Sequence, residues 1–501
     1  MATALKIVPP EARVTSFVNR KHQMLINGKW ENAASGKTFP TYDPATGEVM
    51  TQVAEGDRED VNRAVSAARH AFDKGPWRRM TASERGKLIW KLADLLDANL
   101  EEFAELESLD NGKPLTIARV ADVPLAADLL RYMAGWATKI EGNTIPISVP
   151  YTPGARYLAY TLREPVGVVA QIIPWNFPLL MAAWKLGPAL ATGNTVVLKP
   201  AEQTPLSALR LGELVQEAGF PDGVVNVVSG YGETAGAALA AHPDVDKVAF
   251  TGSTEVGKLI VKAAAGNLKK VSLELGGKSP NVVFADADLS TAIDGAASAI
   301  FFNHGQCCCA GSRLFVEKKV FDKVVDGVAE RASNIRVGPG FDPSTDMGPL
   351  VSQEQLERVC GYLESGFSEG AKAVVGGTKA GDKGYFVNPT VLVNTKPDMK
   401  VVQEEIFGPV VTAIPFEDAN ELVTQANNSA YGLAAGIWTN DIKKANRIAA
   451  DLRAGTVWIN CYNIFDAAMP FGGYKQSGWG REMGHEVLEQ YTEVKAVCSA
   501  M

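Results

Sequence analysis

Short runs of branched apolar residues alternate with helix-like stretches from Val166 onward, and this alternation constrains the fold more than any other feature. The runs "VGVVAQII", "NTVVLKP", "VVNVVSG" and "KVAFTGS" are strand-sized, and helical patterns such as "PLSALRLGELVQEA" lie between them. Such alternation is typical of βαβ units, in which helices cover both faces of a parallel sheet. A second series, with strand candidates "NVVFA", "RLFVE", "YFVNPTVL" and "GTVWIN", runs from about Ser279 to Lys475. The sequence therefore predicts an α/β protein with two nucleotide-sized domains.

Two segments differ from this alternation. From about Arg58 to Glu141 apolar residues recur every three or four positions, which predicts a helical layer. The segment 146–162 contains the turn-forming "YTPGA" beside the alternating residues Tyr157 to Leu162, which predicts a β-hairpin. Because 501 residues exceed the size at which a single core keeps growing, two or more domains are expected, with the isolated hairpin as an arm.

Charge, hydropathy and cysteine usage restrict the classes of binding partner and the cellular compartment that we expect. The formal net charge is −8 with no basic block, so nucleic acid is not an expected partner. No window reaches the roughly 18 consecutive apolar residues of a membrane helix. The start of the chain carries Pro9 and Pro10 and has no basic segment followed by a long apolar run, so we expect a cytoplasmic protein without a secretory signal. The six cysteines form no spaced disulfide framework, which indicates reduced thiols.

Three adjacent cysteines, Cys307 to Cys309, are the most unusual local feature. Cysteine reacts as the thiolate, and in an extended segment Cys308 points away from its two neighbours, so one face alone meets a substrate. Two alternatives remain at this point. The three residues are small enough to be core residues, and His304 with Cys307 is a conceivable start of a zinc site, although no second ligand cluster follows at metal spacing.

Two acidic positions are candidates for acid–base chemistry. Glu274 lies in the apolar strand pattern of "VSLELGGKSPN", ahead of a glycine pair, where burial raises a carboxyl pKa toward the range of a general base. A structural ion pair is the alternative. Glu404 and Glu405 precede a Gly-Pro turn in "EEIFGPV", and there the alternative is a carboxylate that closes the turn.

Asn176 lies between two prolines in "IIPWNFPLLMAAWKLGPAL", at a turn that leads into a helix. Its side-chain amide is a possible donor to a developing oxyanion, and the alternative is a turn asparagine that satisfies backbone groups. Phe177, Met181 and Trp184 follow at helical spacing and share one face. That face belongs either to the core or to an apolar substrate tunnel.

Two stretches are candidates for nucleotide binding. "FTGSTEVGKLI" places a glycine turn between a strand and a helix, where free amides can approach phosphate, but the spacing from Gly252 to Gly257 is not the dinucleotide fingerprint. "NTVVLKPAEQTP" ends a strand with Lys199 and then Glu202, where a carboxylate can hold a ribose diol and repels the extra phosphate of NADP. A solvated charge pair is the alternative.

Seven stretches, in the family's order and at similar intervals, resemble the aldehyde dehydrogenase superfamily over nearly the entire chain. They are "PWNFP", "VLKPAEQTP", "FTGSTEVG", "LELGGKSPN", "FFNHGQCCCAGSR", "EEIFGPV" and "PFGGYKQSGWGRE". The resemblance implies that the Cys308 thiolate attacks an aldehyde and forms a thiohemiacetal, whose oxyanion is held by the Asn176 amide and the Cys308 backbone N–H. After hydride transfer, Glu274 is implied to activate the water that hydrolyses the thioester to a carboxylic acid.

The resemblance also implies NAD as the cofactor and assigns its contacts. Lys199 and Glu202 would hold the adenosine ribose, Gly252 and Ser253 would meet the pyrophosphate, and Glu405 would anchor the nicotinamide ribose. The full set of implied cofactor-binding residues is Trp175, Lys199, Glu202, Gly252, Ser253, Glu405 and Phe407. The residues implied at the substrate entrance are Phe177, Met181, Trp184 and Phe465. These residues suit an apolar or aromatic aldehyde, such as a phenylacetaldehyde-like or medium-chain one, and no metal is expected.

The implied fold is aldehyde dehydrogenase-like, with two Rossmann-like parallel-sheet domains and a β-hairpin oligomerisation arm. The expected NAD-binding domain comprises residues 1–145 and 163–277, and the expected catalytic domain comprises residues 278–477. The expected arm is formed by residues 146–162 and 478–501. An exposed hairpin is suited to pairing at a sheet edge, so a homo-oligomer is expected, a tetramer built as a dimer of dimers.

The sequence departs from the family pattern near the proposed site. His304 stands where close relatives often have glutamine, and it either tunes the pKa of the nucleophile or caps a turn. Asn463 and Asp466 add polarity beside the proposed substrate mouth. Three other functions are alternatives: an acylating dehydrogenase, which has no need of Glu274; a non-catalytic protein that kept the fold; and a cysteine hydrolase without a cofactor.

Overall fold

The computed structural model describes residues 8–501, so the first seven residues at the start of the chain, part of the segment used to predict the absence of a secretory signal, lie outside the described residues. The strands up to residue 251 are β1 (Met24–Ile26), β2 (Lys29–Glu31), β3 (Thr38–Tyr42), β4 (Val49–Ala54), β5 (Thr144–Ile145), β6 (Tyr157–Pro165), β7 (Val168–Ile172), β8 (Thr195–Lys199), β9 (Val225–Val227) and β10 (Lys247–Thr251). The later strands are β11 (Lys270–Glu274), β12 (Pro280–Val283), β13 (Arg313–Glu317), β14 (Lys372–Val375), β15 (Thr390–Val393), β16 (Val410–Phe416), β17 (Ala434–Trp438), β18 (Thr456–Ile459), β19 (Gly478–Trp479) and β20 (Thr492–Ala500).

Helices separate most of these strands. The first nine are α1 (Ala12–Val18), α2 (Arg58–Asp73), α3 (Ala82–Ala98), α4 (Leu100–Asn111), α5 (Leu115–Ile117), α6 (Val123–Trp136), α7 (Pro178–Ala191), α8 (Leu206–Ala218) and α9 (Ala237–Ala241). The others are α10 (Thr254–Ala264), α11 (Leu289–Phe301), α12 (Phe321–Asn334), α13 (Gln353–Ser368), α14 (Lys400–Gln403), α15 (Ala419–Asn427), α16 (Ile442–Asp451) and α17 (Val487–Gln490). The helical layer predicted between residues 58 and 141 is confirmed as α2 to α6.

Two large sheets confirm the predicted α/β fold. The first has the order β19-β11-β10-β7-β8-β9-β1-β2, and its central strands β11, β10, β7, β8 and β9 are parallel. The second has the order β14-β15-β16-β13-β12-β17-β18 and is parallel except at β14. The central strands are buried on both faces because helices cover both sides, which explains their continuous apolar runs.

A separate three-stranded sheet has the order β20-β6-β5, and β20 pairs with β6 along nine residues, from Thr492↔Pro165 to Ala500↔Tyr157. Within the segment 146–162, where a hairpin was predicted, the start of β6 is a strand and residues 146–156 are not. The antiparallel partner of β6 on this side is β5, which lies just before that segment and contributes two residues to the pairing. Pro146, Pro150 and Pro153 follow β5, and proline has no amide N–H to donate to a ladder. β19, within the segment assigned to the arm, instead pairs with β11 in the first sheet. The domain boundaries themselves stay a prediction.

The parallel register brings the carboxyl ends of neighbouring strands to one edge of the first sheet. Ile172 pairs with Lys199 at the ends of β7 and β8, and Thr251 pairs with Glu274 at the ends of β10 and β11. Candidate residues that are far apart in sequence therefore share this edge, which is where open α/β sheets bind ligands. Within residues 8–501, no helix has both the length and the apolar character needed to cross a bilayer.

Candidate active site

A tight turn after α11 presents the three cysteines. Asn303, His304 and Gly305 adopt the left-handed conformation in succession, with φ angles of 48°, 61° and 69°. A Cβ on Gly305 would lie 2.0 Å from the carbonyl oxygen of Gly408, so the turn packs directly on the "EEIFGPV" segment. The strain of two non-glycine residues in this region is held in place by the surrounding packing, as is common at functional sites.

The structure distinguishes Cys308 from its neighbours. Cys307 and Cys309 are buried with their Sγ atoms 3.4 Å apart, while Cys308 is half-buried. The pKa of the Cys308 thiol is raised well above its usual value, first by the adjacent Cys307 sulfur and also by burial. The thiol must lose its proton before the sulfur can attack a carbonyl, and this environment opposes that loss.

Asn176 lies against the cysteine turn. Its side chain is 5% exposed, and its Nδ2 donates to the carbonyl oxygen of Gln306 at 3.0 Å. An asparagine amide has two N–H donors, so this bond fixes the side chain and leaves the second donor available. The bond ties the Asn176 amide to Gln306, two residues before Cys308 in sequence, and a preorganised oxyanion site requires a donor fixed in this way.

Three buried side chains hold the Asn176 turn through hydrogen bonds to its backbone carbonyl groups. The sequence analysis did not identify them. Lys113 Nζ and Asn303 Nδ2 each donate to the carbonyl oxygen of Asn176 at 3.1 Å, and Asn111 Nδ2 donates to the carbonyl oxygen of Trp175 at 2.9 Å. Asn111 and Lys113 come from the end of α4 and the loop after it. The polar stretch "LDNGKP" directly after a helical pattern was the available signal for them.

Glu274 is a buried carboxylate at the carboxyl end of β11. Neither of its carboxylate oxygens has a hydrogen-bond partner among the described residues, and its side chain lies near the buried Lys185–Glu482 ion pair. Burial raises the pKa of Glu274 well above its usual value, the Glu482 carboxylate raises it further, and the cations Lys185 and Arg481 oppose the rise. A carboxyl group with this raised pKa has the acid–base character of a general base. Lys185 and Glu482 were not singled out in the sequence.

The proposed adenosine-ribose residues form a contact at the end of β8. Lys199 is buried and its Nζ donates to Glu202 Oε2 and to the carbonyl oxygen of Pro200, each at 3.0 Å. Burial lowers the pKa of Lys199, while Glu202 opposes this effect. Glu202 remains partly exposed, so a carboxylate and an ammonium face the open edge of the sheet together.

The glycine turn before α10 is built as the sequence suggested. Ser253 is the N-cap residue of α10, and its Oγ accepts from the Val256 backbone N–H at 3.2 Å. A Cβ on Gly252 would lie 2.5 Å from the ring of Phe250, so the turn has room for glycine alone. The first turn of α10 thus offers backbone N–H groups, which favour an anionic group.

Glu405 and Phe407 reach the site from the second sheet. Glu405 is half-buried, its Oε1 accepts from the Gly277 backbone N–H at 2.8 Å, and desolvation raises its pKa to about 7. Phe407 has a φ of 59°, and its ring meets the Trp175 ring edge-to-face at 5.2 Å between centroids. This contact joins the "PWNFP" and "EEIFGPV" segments.

Aromatic side chains form a wall near the cysteines. The ring centroid of Trp184 lies 6.2 Å from that of Phe465 and 5.6 Å from that of Phe471. The ring of Phe177 stacks on that of Phe302 with 6.1 Å between the centroids. Met181, on the same helix, is 7% exposed. Phe302, Phe471 and Trp458, which packs on Phe465, were missed because their contacts with the other rings depend on tertiary packing.

His304 is buried, and burial lowers its pKa to about 3, so the ring stays neutral at physiological pH. Its Nδ1 lies 3.3 Å from the Gln306 Nε2, while Nε2 has no hydrogen-bond partner among the described residues. The described part of the chain contains no group of three His, Cys, Asp or Glu side chains that could hold a metal ion. The geometry makes His304 part of the turn that supports the cysteines.

Comparison with known proteins assigns the class. The sequence model of the aldehyde dehydrogenase family matches residues 30–497. The chain is 57% identical over 485 residues to the putative aldehyde dehydrogenase DhaS of Bacillus subtilis, covering 97% of each protein. It is 54% identical over 480 residues to the mitochondrial benzaldehyde dehydrogenase of Antirrhinum majus, covering 96% of this chain and 89% of that protein. The NAD+ complex of an aldehyde dehydrogenase from Bacillus cereus superimposes with a TM-score of 0.97 at 55% identity, covering 99% of this chain and 100% of that one.

The chain belongs to the aldehyde dehydrogenase family, and the predicted resemblance and fold class are confirmed. It is an NAD-dependent aldehyde dehydrogenase, and NAD is its cofactor.

Proposed function

We propose that the protein oxidises an aldehyde to its carboxylic acid through a thiohemiacetal and a thioester, with Cys308 as the nucleophile and NAD as the hydride acceptor. The observation that carries this proposal is the half-buried Cys308 thiol beside the fixed Asn176 amide. The sulfur attacks the aldehyde carbon, and the new oxyanion accepts hydrogen bonds from the Asn176 side chain and the Cys308 backbone N–H. These donors stabilise charge that develops in the transition state. The hydride leaves the thiohemiacetal carbon, which becomes the thioester carbon.

Glu274 is the proposed base of the second half-reaction. In its carboxylate form the buried, unpartnered Glu274 takes a proton from a water molecule as that water attacks the thioester carbon. The C–S bond breaks, the acid is released, and the Cys308 sulfur leaves as a thiolate that can take the proton back from Glu274. The presence of Glu274 argues against the acylating dehydrogenase, which passes its acyl group to coenzyme A. Formation of free acid without coenzyme A separates these two reactions.

The residues at the sheet edge fit NAD. When bound, NAD accepts the hydride. The Lys199 and Glu202 pair suits ribose hydroxyls, and the Glu202 carboxylate disfavours the extra phosphate of NADP. Gly252, with no space for a side chain, and Ser253 at the start of α10 suit the pyrophosphate. The remaining proposed contacts are Trp175, Glu405 and Phe407. The rings of Trp175 and Phe407 are in contact, and Glu405, two residues before Phe407, is hydrogen-bonded to the Gly277 backbone N–H.

The proposed substrate is an apolar or aromatic aldehyde. The wall of Phe177, Met181, Trp184 and Phe465 supports this class, because aromatic rings gain most from packing on other rings. The Antirrhinum majus relative is named for benzaldehyde, which points the same way. Turnover of benzaldehyde and phenylacetaldehyde above betaine-type aldehydes in an NADH assay is the expected result.

We further propose a homo-oligomer, a tetramer built as a dimer of dimers, and a cytoplasmic location. The three-stranded sheet supports assembly, since it exposes Leu158, Leu162 and Val494, which are 42–58% exposed. Leu158 and Leu162 share one face of the central strand β6, and exposed apolar side chains on a shared face are suited to packing against a second chain.

The test of the nucleophile is the Cys308→Ala variant. It should produce no NADH from aldehyde and NAD while binding NAD with unchanged affinity, because the alanine removes the sulfur and leaves the cofactor contacts. Cys309→Ala is the matched control and should keep most of its activity, since Cys309 is buried beside Cys307. Retained NADH formation in Cys308→Ala rejects the assignment.

A further inference from the structure

Two neighbouring residues in the loop after β18, Tyr462 and Asn463, hold Cys309, the residue that follows the proposed nucleophile. The Tyr462 hydroxyl donates to the carbonyl oxygen of Cys309 at 2.7 Å. The Asn463 Oδ1 accepts from the Cys309 Sγ at 3.5 Å. One contact therefore fixes the backbone of Cys309 and the other its side chain, and no step of the proposed reaction uses either.

Cys308 and Cys309 form the corner of a β-turn, which the Ala310 backbone N–H closes by donating to the carbonyl oxygen of Cys307 at 3.0 Å. The same closing bond occurs in type I and type II turns, which differ in the orientation of the central peptide. Closure alone therefore does not fix the peptide between Cys308 and Cys309. On the Cys308 side, the carbonyl oxygen packs on Gly277, where a Cβ would lie 2.4 Å from it. On the Cys309 side, the tyrosine hydroxyl holds the next carbonyl.

Tyr462 is a rigid support for this corner. Its ring packs on the Trp458 ring at 4.7 Å between centroids, and a Cβ on Gly436 of β17 would lie 2.6 Å from it. The Trp458 indole N–H donates to the carbonyl oxygen of Ile464 at 3.0 Å, which fixes the loop on the far side of Tyr462. Burial raises the pKa of Tyr462 well above its usual value, so the hydroxyl keeps its proton and remains a donor.

Asn463 has a φ of 55°, in the left-handed region that asparagine adopts more readily than most residues. In the sequence it stands out as a polar residue beside the proposed substrate mouth, and in the structure its amide oxygen lies against the Cys309 thiol. A thiol is a weak donor, so this contact is the weaker of the two. The tyrosine hydroxyl is the main support of Cys309.

We propose that Tyr462 is a positioning residue for the nucleophile, an inference that rests on the proposed role of Cys308. By holding the Cys309 carbonyl, its hydroxyl fixes the corner of the turn and thereby the Cα that carries the Cys308 side chain. The sulfur and the Cys308 backbone N–H then keep the spacing at which one attacks the carbonyl carbon while the other meets its oxygen. Loss of the hydroxyl leaves the turn closed and lets its corner move, which slows hydride transfer and leaves NAD binding unchanged.

The test is Tyr462→Phe, which removes the hydroxyl and keeps the ring. In stopped-flow single turnovers with benzaldehyde and NAD, the rate of NADH formation should fall by roughly tenfold to a hundredfold, the size of effect that small misplacements of reacting groups produce. The KM for NAD should stay within about twofold of the wild-type value. Tyr491→Phe removes the hydroxyl of another buried tyrosine, which has no hydrogen-bond partner among the described residues, and should keep the wild-type rate.

Alkylation by iodoacetamide separates alignment from thiol reactivity, because it needs no oxyanion donor. Followed by loss of activity from pH 6 to pH 9, its rate in Tyr462→Phe should stay within about threefold of wild type, since the reactivity of a thiol depends on its pKa. An alkylation rate that falls as far as the hydride-transfer rate overturns the proposal, because the hydroxyl then acts on reactivity. A wild-type hydride-transfer rate in Tyr462→Phe, or an equal fall in Tyr491→Phe, overturns it as well.

Asn463→Gly keeps the left-handed backbone and removes the amide, so it should slow hydride transfer less than Tyr462→Phe does. A larger loss in Asn463→Gly assigns the positioning to the amide and contradicts the role of the tyrosine. Alkylation of Cys308 that leaves the wild-type enzyme active rejects Cys308 as the nucleophile, and the positioning role with it. That result is separate from a Tyr462→Phe variant that turns over normally, which removes the positioning role alone.

Discussion

At the scale of single residues, the site contains ionisable groups whose charged forms the surrounding protein does not stabilise. Glu274 has two carboxylate oxygens without a hydrogen-bond partner among the described residues, and Cys308 has a raised pKa. The protein environment disfavours the charged form of each group, and each acts in its charged form in the proposed reaction. Poor solvation makes both groups reactive once they ionise, and it costs stability.

The cost of Glu274 gives a prediction about pH. Its pKa in the folded protein is raised above the usual 4.5, so the folded state favours the protonated form. Below the pKa that Glu274 has in the unfolded protein, this preference contributes fully to the stability of the fold. The contribution is lost as pH rises through the pKa that Glu274 has in the folded protein. Glu274→Gln removes this dependence. Its free energy of unfolding should exceed that of the wild type by an amount that grows as pH rises from about 4.5.

Urea unfolding of both proteins between pH 4 and pH 9 measures this difference. Glu417→Gln, in an exposed ion pair with Lys318, is the matched control and should follow the wild-type curve within about 0.5 kcal/mol. A constant gap between Glu274→Gln and the wild type across this range contradicts the pKa shift.

At the scale of elements, the Asn176 turn is fixed from α4 and from the turn after α11. Lys113 supports the turn through the carbonyl oxygen of Asn176, lies over the Phe177 ring at 4.4 Å, and forms a buried ion pair with Asp122. Asp122 ends a π-helical turn (Ala118–Asp122) between α5 and α6. One lysine thus ties the oxyanion donor to a helical layer that contributes no proposed catalytic group.

Removal of that lysine should be strongly destabilising. Lys113→Met leaves the Asp122 carboxylate buried without its partner, which costs about 3–5 kcal/mol of unfolding free energy. The double variant Lys113→Met, Asp122→Leu removes both charges and should recover more than half of the loss. Chemical denaturation of the single and double variants measures both values, and equal losses in the two contradict the ion-pair account.

The sequence predicted the strand ends better than the turns between them. Lys199, Thr251 and Glu274 lie at the carboxyl ends of strands whose apolar runs are easily recognised, so their shared edge follows from parallel topology. The left-handed turn at Asn303 and His304 could not be predicted, because neither residue requires positive φ. The buried Lys113 was equally hidden, since its burial depends on tertiary contacts with Asp122 and Asn176.

At the scale of the whole molecule, the sheet β20-β6-β5 pairs the C-terminal strand with a segment more than 300 residues earlier. Its exposed apolar side chains, Leu158, Leu162 and Val494, have no cover within the described chain. A homo-oligomer buries them, and this is the physical basis of the assembly proposal.

The double variant Leu158→Asp, Leu162→Asp should dissociate the assembly, because it places charge on an apolar contact surface. Light scattering coupled to size-exclusion chromatography should show a smaller species than the wild type. Val374→Asp, at an exposed position of β14 in the second sheet, is the matched control and should keep the wild-type mass. A double variant with unchanged mass contradicts the role of this sheet in assembly.

The central claim is that the acyl group passes through the Cys308 sulfur and leaves by the action of Glu274. The most direct measurement is mass spectrometry of the Glu274→Gln variant after incubation with benzaldehyde and NAD, because the glutamine cannot accept a proton from water. The account predicts one acyl group per chain, on the peptide that contains Cys308. It predicts no acyl group on the double variant Glu274→Gln, Cys308→Ala. Acylation of another residue, or a variant that turns over at the wild-type rate without any acylated chain, contradicts it.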